Sequence, residues 1–599
     1  DEAYGEGTMK KLLISLAAAL LVILAAVLIL PRGPEIAEPV DEHCGIPESW
    51  ENTIAYVPLD DRPDNLENVI LMAEASGWHI VIPEPRLFRT ALDGQEPNPN
   101  GTQYGDREEL LLWVRRMDEL GCDLFLLSAD QLLSGGLVNS RAMQESLPLE
   151  LPEGKLSEED AFDAYIMALG DDPANRVYLF DSVARLASTV GYGGFGTEEY
   201  TALRAYGNVE RPLLGYEELS LESVFAAYPF AADGITGAEA EVSDAEGPAV
   251  LTEELISAYL SARERKLSLT DHIISAVKGS ENFRLLIGID DSSSLPNIQR
   301  NELEYIEKCL GENAVLIAGL DSLARLMIAS ATQEEYGLSV KTCVEFIGGS
   351  QDIPASDYDL YTASQVAEKH MTLLSAESVP EAEAELQVLI LTPPDDTLRS
   401  EEYFGAAVDR LCENAERHIP TVFIDASRNA YGEAFETALL ENAELSRLMG
   451  FSGRYYQANV IGTGFAMGFS RYIYLRCGDT SEALPHVSQL KQLVYSAEMC
   501  YPFALHVREE LNSYVSGLGL DPNNIICDDR TMQSILDKAS ELMNTYGSAL
   551  RNNFEGSRLP CKADPGSDAE IVTADIYELR LPWNRTFEIS FRVSAGLGE

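Results

Sequence analysis

The chain has 599 residues, with 43 Lys and Arg against 98 Asp and Glu, a net charge of −55. That charge repels phosphate backbones and excludes a nucleic-acid partner, and it excludes docking on anionic lipid through basic patches. With 46% hydrophobic and 24% charged residues, the composition is that of a folded, well-cored protein of one large or two to four ordinary domains.

Residues 1–8 precede an initiator-like Met9 and read as upstream translation or a mis-assigned start. Met9-Lys10-Lys11 then leads into Leu12–Leu30, 19 residues whose only polar member is Ser15, closed by Pro31-Arg32-Gly33-Pro34. The run is close to the roughly 20 residues a helix needs to span a bilayer, and no small-x-small cleavage site follows it. Residues 9–30 are therefore expected to form an uncleaved membrane anchor with the body outside the cytoplasm; secretion after signal cleavage is the alternative. Residues 31–51 form a Pro- and Glu-rich linker.

From residue 52 onward, apolar strand-like runs alternate with helical patterns. Thr53–Leu59 reads as a buried strand, Asn65–Ser76 as a helix and His79–Ile82 as the next strand. Asp106–Leu120 is the clearest helix: Asp106 can cap it, Leu110, Val114 and Met117 form its apolar stripe, and Gly121 closes it. Further strands are expected at Asp123–Ser128, Val177–Phe180, Leu285–Ile289, Ala314–Ala318, Val388–Thr392 and Thr421–Ile424. This alternation predicts an α/β body over 52–560 with a largely parallel sheet, either open doubly wound or barrel-like. Two sub-domains are expected to meet near 270–285, with an acidic surface insertion over 217–254. Residues 561–599 read as a β-rich tail packed on the body, since Glu570–Val593 alternates in period two.

Ligands of parallel α/β sheets bind at the carboxyl ends of strands, and acids stand at several such ends. They are Asp60-Asp61, Asp130, Asp290-Asp291 and Asp425, with Asp321 following Ala314–Ala318. A single Asp there often caps the next helix, but an adjacent pair cannot place both members at one cap. Arg62 and Arg141 stand beside these ends and could clamp an anion or neutralise the acids. Gly135-Gly136 indicates a tight turn or a close backbone approach. Gly191–Gly196 matches GxGxxG without the strand–helix context of a dinucleotide site, and Gly462–Gly468 misses that pattern by one position. Ser488-Gln489-Leu490-Lys491 matches SxxK without its companion motifs.

The nine cysteines include no CxxC, and the seven histidines show no paired metal-ligand spacing. Export would permit disulfides, although an odd count leaves one thiol over. Cys122 and Cys477 read as small core residues. In the tail, Trp583 and Arg585 within Leu581–Glu588 could close over a site, but an aromatic anchor for the terminal strands is the preferred reading.

Several strings together resemble a bacterial family known as domain-of-unknown-function family 4127. They are Val57-Pro58-Leu59-Asp60-Asp61-Arg62-Pro63, Ala129–Arg141, Asp290-Asp291-Ser292, Gly319-Leu320-Asp321, the Gly453…Asn459…Gly462 spacing and Leu581–Glu588. The resemblance is collinear over about residues 52–593. The chain departs from it at Gly453-Arg454-Tyr455-Tyr456, where the family has Gly-Trp-Asn-Thr. It departs also at Ser134, where the family has an aromatic residue, and at Ser292, where it has Thr. The resemblance implies one shared architecture and no particular reaction.

The leading functional expectation is carboxylate-dependent hydrolysis of a glycan or glycoside at the cell surface. One acid would protonate the leaving oxygen while another activates water or attacks carbon. The candidate pair is Asp60 or Asp61 with Asp290 or Asp291, assisted by Asp130. Arg62, Arg141, Asp321, Asn459 and Arg585 would bind substrate or tune those acids. Two other readings stay open: a non-catalytic envelope module that binds glycan or peptide, and a divalent-metal hydrolase using the same acids as ligands. No organic cofactor is expected; a divalent cation is the one candidate.

Overall fold

The structure, a computed structural model, describes residues 41–229, 251–453, 456–563 and 566–598. The anchor segment 9–30, the linker to residue 40 and most of the acidic insertion lie outside them. Among the described residues no helix is long and apolar enough to cross a membrane. The chain separates into two units, Asp1–Glu42 and His43–Glu599, and the second carries the fold described here.

Its first sheet has six parallel strands in the order β2-β1-β3-β6-β7-β8. They are β1 (Thr53–Val57), β2 (His79–Val81), β3 (Leu124–Ser128), β6 (Arg176–Val183), β7 (Phe283–Ile289) and β8 (Ala314–Ala318). A small antiparallel hairpin of β4 (Leu149–Leu151) and β5 (Gly154–Leu156) interrupts the series. Residues of β1 and β3 are buried on both faces, which is why these strands read as unbroken apolar runs. The helix Arg107–Glu119 forms as its sequence predicts. Asp106 accepts from the Glu109 N–H, Leu110, Val114 and Met117 are buried, and Gly121 turns out of the helix at φ 93°.

A second parallel sheet runs β10-β9-β11-β12-β13. Its strands are β9 (Lys341–Ile347), β10 (Glu377–Ser378), β11 (Leu386–Leu391), β12 (Thr421–Asp425) and β13 (Gly450–Gly453). Both sheets are open, so the barrel alternative is not realised. The change of sheet falls across helix Leu323–Tyr336, downstream of the 270–285 region where the sequence suggested a junction. β9, β13 and the hairpin escape a reading by apolar runs: β9 mixes Lys, Thr and Glu with apolar residues, and β13 is Gly-Phe-Ser-Gly. The segment expected to be an insertion is partly regular, since Leu221–Ala227 is helical and Glu253 begins a long helix to Val277.

Helix Gln457–Cys477 lies between the two sheets, against helix Leu323–Tyr336 on one side and β12 and β13 on the other. Every residue from Val460 to Leu475 is buried, as expected of a helix packed on all sides. Its glycines make that approach feasible. A Cβ at Gly462 would collide with Ser322 and His370, and one at Gly468 with Val422. The near-match to a phosphate loop is thus a packing stripe.

The tail sheet is antiparallel: β14 (Arg558–Pro560), β15 (Asp568–Arg580) and β16 (Ser590–Leu597). It packs on helices Leu484–Glu498 and Asp529–Phe554, and Tyr495 stacks on Phe591 at 4.5 Å. The period-two pattern overran the strand, because Leu581–Glu588 forms a turn with Trp583 and Asn584 in left-handed backbone, at φ 54° and 49°. Cys122, Cys309, Cys343, Cys412, Cys477, Cys527 and Cys561 are free thiols. Cys122 is buried, but Cys477 ends its helix and is exposed, so it is no core residue.

Candidate functional site

The acids singled out at strand ends, Asp425 of the second sheet apart, lie along the carboxyl edge of the first sheet, and none of them caps a helix through its side chain. Ser128 caps the helix holding Asp130, and Asn297 caps the helix after Asp290-Asp291. Adjacent acids have instead taken different tasks.

Asp60 is fully buried. Its carboxylate accepts from the Arg62 backbone N–H at 3.0 Å, from Arg62 Nε and Nη2 at 2.9 and 2.8 Å, and from Asn65 Nδ2 at 3.1 Å. Arg62 also reaches Asp321 at 2.7 Å and Glu588 at 3.4 Å. Asp321 follows β8, an edge strand, whereas Arg62 follows β1. The loop after β8 therefore turns back over the carboxyl edge, ahead of a helix that packs across β6 and β7. Asn459 fixes that loop: its side-chain oxygen accepts from the Leu320 and Asp321 N–H groups at 2.7 and 3.1 Å, and its Nδ2 donates to Asp321 at 3.4 Å. Burial raises Asp321, opposed by Arg62. Three acids around one arginine, with Asn459, thus lock the sheet edge to the helix Gln457–Cys477 and to the tail.

Asp61 faces outward from the same turn and is partly exposed. It accepts from Trp583 Nε1 at 2.7 Å and from the Thr90 N–H at 3.2 Å. Burial pushes its carboxyl up to about 6, with Asp60 adding to the rise and the Trp583 bond opposing it. Trp583 is buried among Leu92, Val138, Ala142 and Tyr192, and the Arg62 and Arg585 guanidinium groups lie over its ring at 5.1 and 4.4 Å. It is therefore an anchor, as preferred from sequence, and also a neighbour of the acids. Burial lowers Arg585 to about 10, Glu588 opposing.

Asp290 and Asp291 follow β7, both partly exposed. Asp290 pairs with Arg141, and its Oδ1 accepts from the Asp291 N–H at 2.8 Å; Asp291 lies 3.5 Å from Arg185. Both arginines donate to Thr189 Oγ1 at 3.2 Å. The two acids shift in opposite directions. Burial would raise Asp290, but Arg141 and Arg185 outweigh it and hold the group below the usual carboxylate range. Burial and the Asp290 charge push Asp291 up to about 6. Both line a pocket with Gly319, Asn459, Asp359 and the tyrosines Tyr358, Tyr361 and Tyr456, which come from loops of the second sheet.

Asp130 does not face this pocket. It is buried against Lys266 Nζ at 2.7 Å, and Lys266 also pairs with Asp181, which accepts from Thr270 Oγ1 at 2.7 Å. Asp425 lies in the second sheet, accepting from the Ser427 N–H at 3.0 Å and from Tyr501 at 3.4 Å. The GxGxxG loop serves a structural end: the Gly193 and Gly194 N–H groups donate to the Asp93 carboxylate at 2.9 and 2.8 Å. Ser488 of the SxxK match sits in a helix and donates to Glu74 at 2.6 Å.

Sequence reasoning missed Arg185, Lys266, Asp181, Tyr358 and Tyr456. Arg185 had a legible signal, two residues past the end of β6, but the expected strand stopped at Phe180. The tyrosines had none, since they arrive from loops of another sheet. Among the described residues no three His, Cys, Asp or Glu side chains converge as a metal-ligand set.

No curated protein and no solved structure matches this chain. A family model described as a protein of unknown function, DUF4127, matches residues 54–592, and the chain belongs to that family.

Proposed function

We propose that the protein is a carboxylate-dependent hydrolase of a glycan or glycoside at the cell surface, with Asp290 and Asp291 as its working pair. The observation that carries this reading is the opposite environment of two adjacent acids on one pocket wall. Environments that push two carboxyls apart divide the labour of acid–base catalysis. Asp290, facing Arg141 and Arg185, stays ionised and stabilises positive charge developing at the sugar carbon. Asp291, with burial and the neighbouring charge against its ionisation, holds a proton near pH 6 and delivers it to the leaving oxygen; water then adds to the sugar carbon and returns a proton to Asp291. The hydroxyls of Tyr358, Tyr361 and Tyr456, which line the pocket, would partner sugar hydroxyls. Asp60, Arg62 and Asp321 act one step back, holding the loop after β8 that Asn459 fastens from its helix.

The test is release of nitrophenolate from a panel of nitrophenyl glycosides by the full-length protein and by Asp290→Asn and Asp291→Asn. Activity in the parent with a loss of roughly a hundredfold or more in Asp291→Asn is expected. The melting temperature of Asp291→Asn should hold or rise above pH 6, because a like charge beside Asp290 has been removed. Asp290→Asn should lose activity and some stability together, since Arg141 is left without its partner. Hydrolysis undiminished in both variants, or absent from the parent across the panel, overturns the reading.

A further inference from the structure

The glycine loop that follows β6 borders a cavity that the strand-end acids do not line. Gly191, Gly193 and Gly194 stand at φ 77°, 65° and 81°, a path open to glycine, and Tyr192 and Phe195 meet across it in an antiparallel bridge. The Asp93 carboxylate pins the turn through the Gly193 and Gly194 N–H groups. Both aromatic side chains are buried, and both line a cavity of about 230 Å³ together with Ala142, Met143, Ser188 and Thr189. Gln144 and Gly193, both exposed, also border it, and Gln144 Nε2 donates to the Gly193 carbonyl at 3.3 Å.

Packed interiors leave few voids larger than a water molecule, and a cavity of about 150 Å³ admits a benzene ring. This one therefore has room for a ring and its substituents. Among the described residues no charged side chain lines it, so an ion would enter without a partner. The Tyr192 hydroxyl is committed to Asn139 at 2.8 Å, which leaves its ring as the surface it offers. The polar end is more specific. Thr189 Oγ1 accepts from Arg141 and Arg185, each at 3.2 Å. Both its lone pairs are taken and only its O–H is left to give; among the described residues nothing accepts it. Ser188 is the complement: its Oγ donates to the Arg141 carbonyl at 3.0 Å and keeps only lone pairs. Two adjacent buried hydroxyls, one able only to donate and the other only to accept, match a single hydroxyl group, which does both. A sugar ring carries more hydroxyls than this wall can satisfy, and each one left unpaired is costly.

We propose that the cavity is a binding site for a small neutral phenol, with its ring against Tyr192 and Phe195 and its hydroxyl on Ser188 and Thr189. The site is separate from Asp290 and Asp291 and stands or falls independently of the hydrolase reading.

The test is titration calorimetry of the full-length protein with 4-methylphenol, toluene, benzoate and methyl glucoside. 4-Methylphenol should bind about fivefold or more tighter than toluene, through the paired hydroxyl, and about tenfold or more tighter than benzoate. Methyl glucoside should give no heat of binding. Ala142→Leu grows into the cavity and should weaken 4-methylphenol about tenfold or more, with the melting temperature held or raised. Met143→Phe, at a half-buried position, repeats the test without touching the buried wall. Thr189→Val should bring 4-methylphenol and toluene to equal affinity, whereas Thr189→Ser keeps the preference. Absent binding of 4-methylphenol, preference for benzoate or glucoside, binding undiminished in both filled variants, or a preference retained in Thr189→Val overturns the proposal.

Discussion

Lys266 offers the sharpest separation of scaffold from site. Its ammonium is buried between Asp130 and Asp181, and the side chains of both acids are fully buried. One positive charge faces two carboxylates, burial raises Asp181, and one oxygen of Asp130 has no hydrogen-bond partner among the described residues. Lys266→Met removes the only cation in this cluster and leaves two acids facing each other away from water. Removing one partner of a buried pair costs about 3–5 kcal/mol, and orphaning two acids places this variant at the upper end. Asp130→Asn is different: a neutral Lys266–Asp181 pair remains and the amide oxygen can still accept from Nζ, so about 1 kcal/mol is expected. The sign of the pH dependence follows from the same geometry. Burial already raises Asp181 against the opposing Lys266 charge, and without Lys266 it rises further, so its contribution is most favourable at low pH and is lost as pH rises through the folded value. The deficit of Lys266→Met should therefore shrink on acidification. Urea unfolding followed by far-ultraviolet circular dichroism, at neutral and mildly acidic pH, measures it. Equal midpoints for parent and Lys266→Met, or a deficit independent of pH, would refute the buried-triad reasoning. Lost hydrolysis in a fully stable Asp130→Asn would return Asp130 to the chemistry.

If the protonated Asp291 is the acid that donates to the leaving group, kcat should decline above about pH 6, where burial and Asp290 have placed its titration; a profile flat across that range, read with any hydrolysed substrate, removes Asp291 from that role. Trp583→Ala should destabilise by about 3–5 kcal/mol through lost packing on Leu92, Val138, Ala142 and Tyr192. Trp583→Phe keeps much of that packing but drops the N–H to Asp61, so it should cost only about 1 kcal/mol and push the Asp61 carboxyl higher still. Calorimetric melting of the two variants distinguishes them, and equal losses would mean that the hydrogen bond, not the ring, is the anchor.

The first sheet was legible because parallel strands covered on both faces are written as uninterrupted apolar runs. β1, β3, β7 and β8 fall within a few residues of where their runs stand, and the caps of the helices between them are local signals. What was not legible has local reasons too. β13 contains two glycines and β9 alternates poorly, so neither contrasts with a loop. In the tail, the pattern of Thr586–Val593 is that of a strand throughout. Trp583 and Asn584 nevertheless adopt left-handed backbone, and the chain turns until Ser590, because Trp583 is seated among side chains from three distant segments. Tertiary packing overrode a local preference there.

The candidate site shows the same division at the level of single residues. Position at a strand end identified Asp60, Asp61, Asp290 and Asp291 together, yet it could not tell the buried member of a pair from the one facing solvent. Asp60 and Asp61 differ by one residue and by opposite directions of the chain, and that alone makes the first an anchor for Arg62 and leaves the second partly exposed. Arg62 illustrates why spacing was not enough. Its partners Asp60, Asp321 and Glu588 come from the start, the middle and the end of the unit, and each is a plain acid in its own neighbourhood. Only the return of the β8 loop over the sheet edge, held by Asn459, and the docking of the tail by Trp583 bring them to one guanidinium. The acids that remain able to meet a ligand are then those whose neighbours did not complete such a clamp: Asp61, with an indole N–H in place of a cation, and Asp291, with Arg185 at 3.5 Å. These same two groups are pushed up to about 6, by burial first and with the adjacent Asp60 or Asp290 charge adding to the rise.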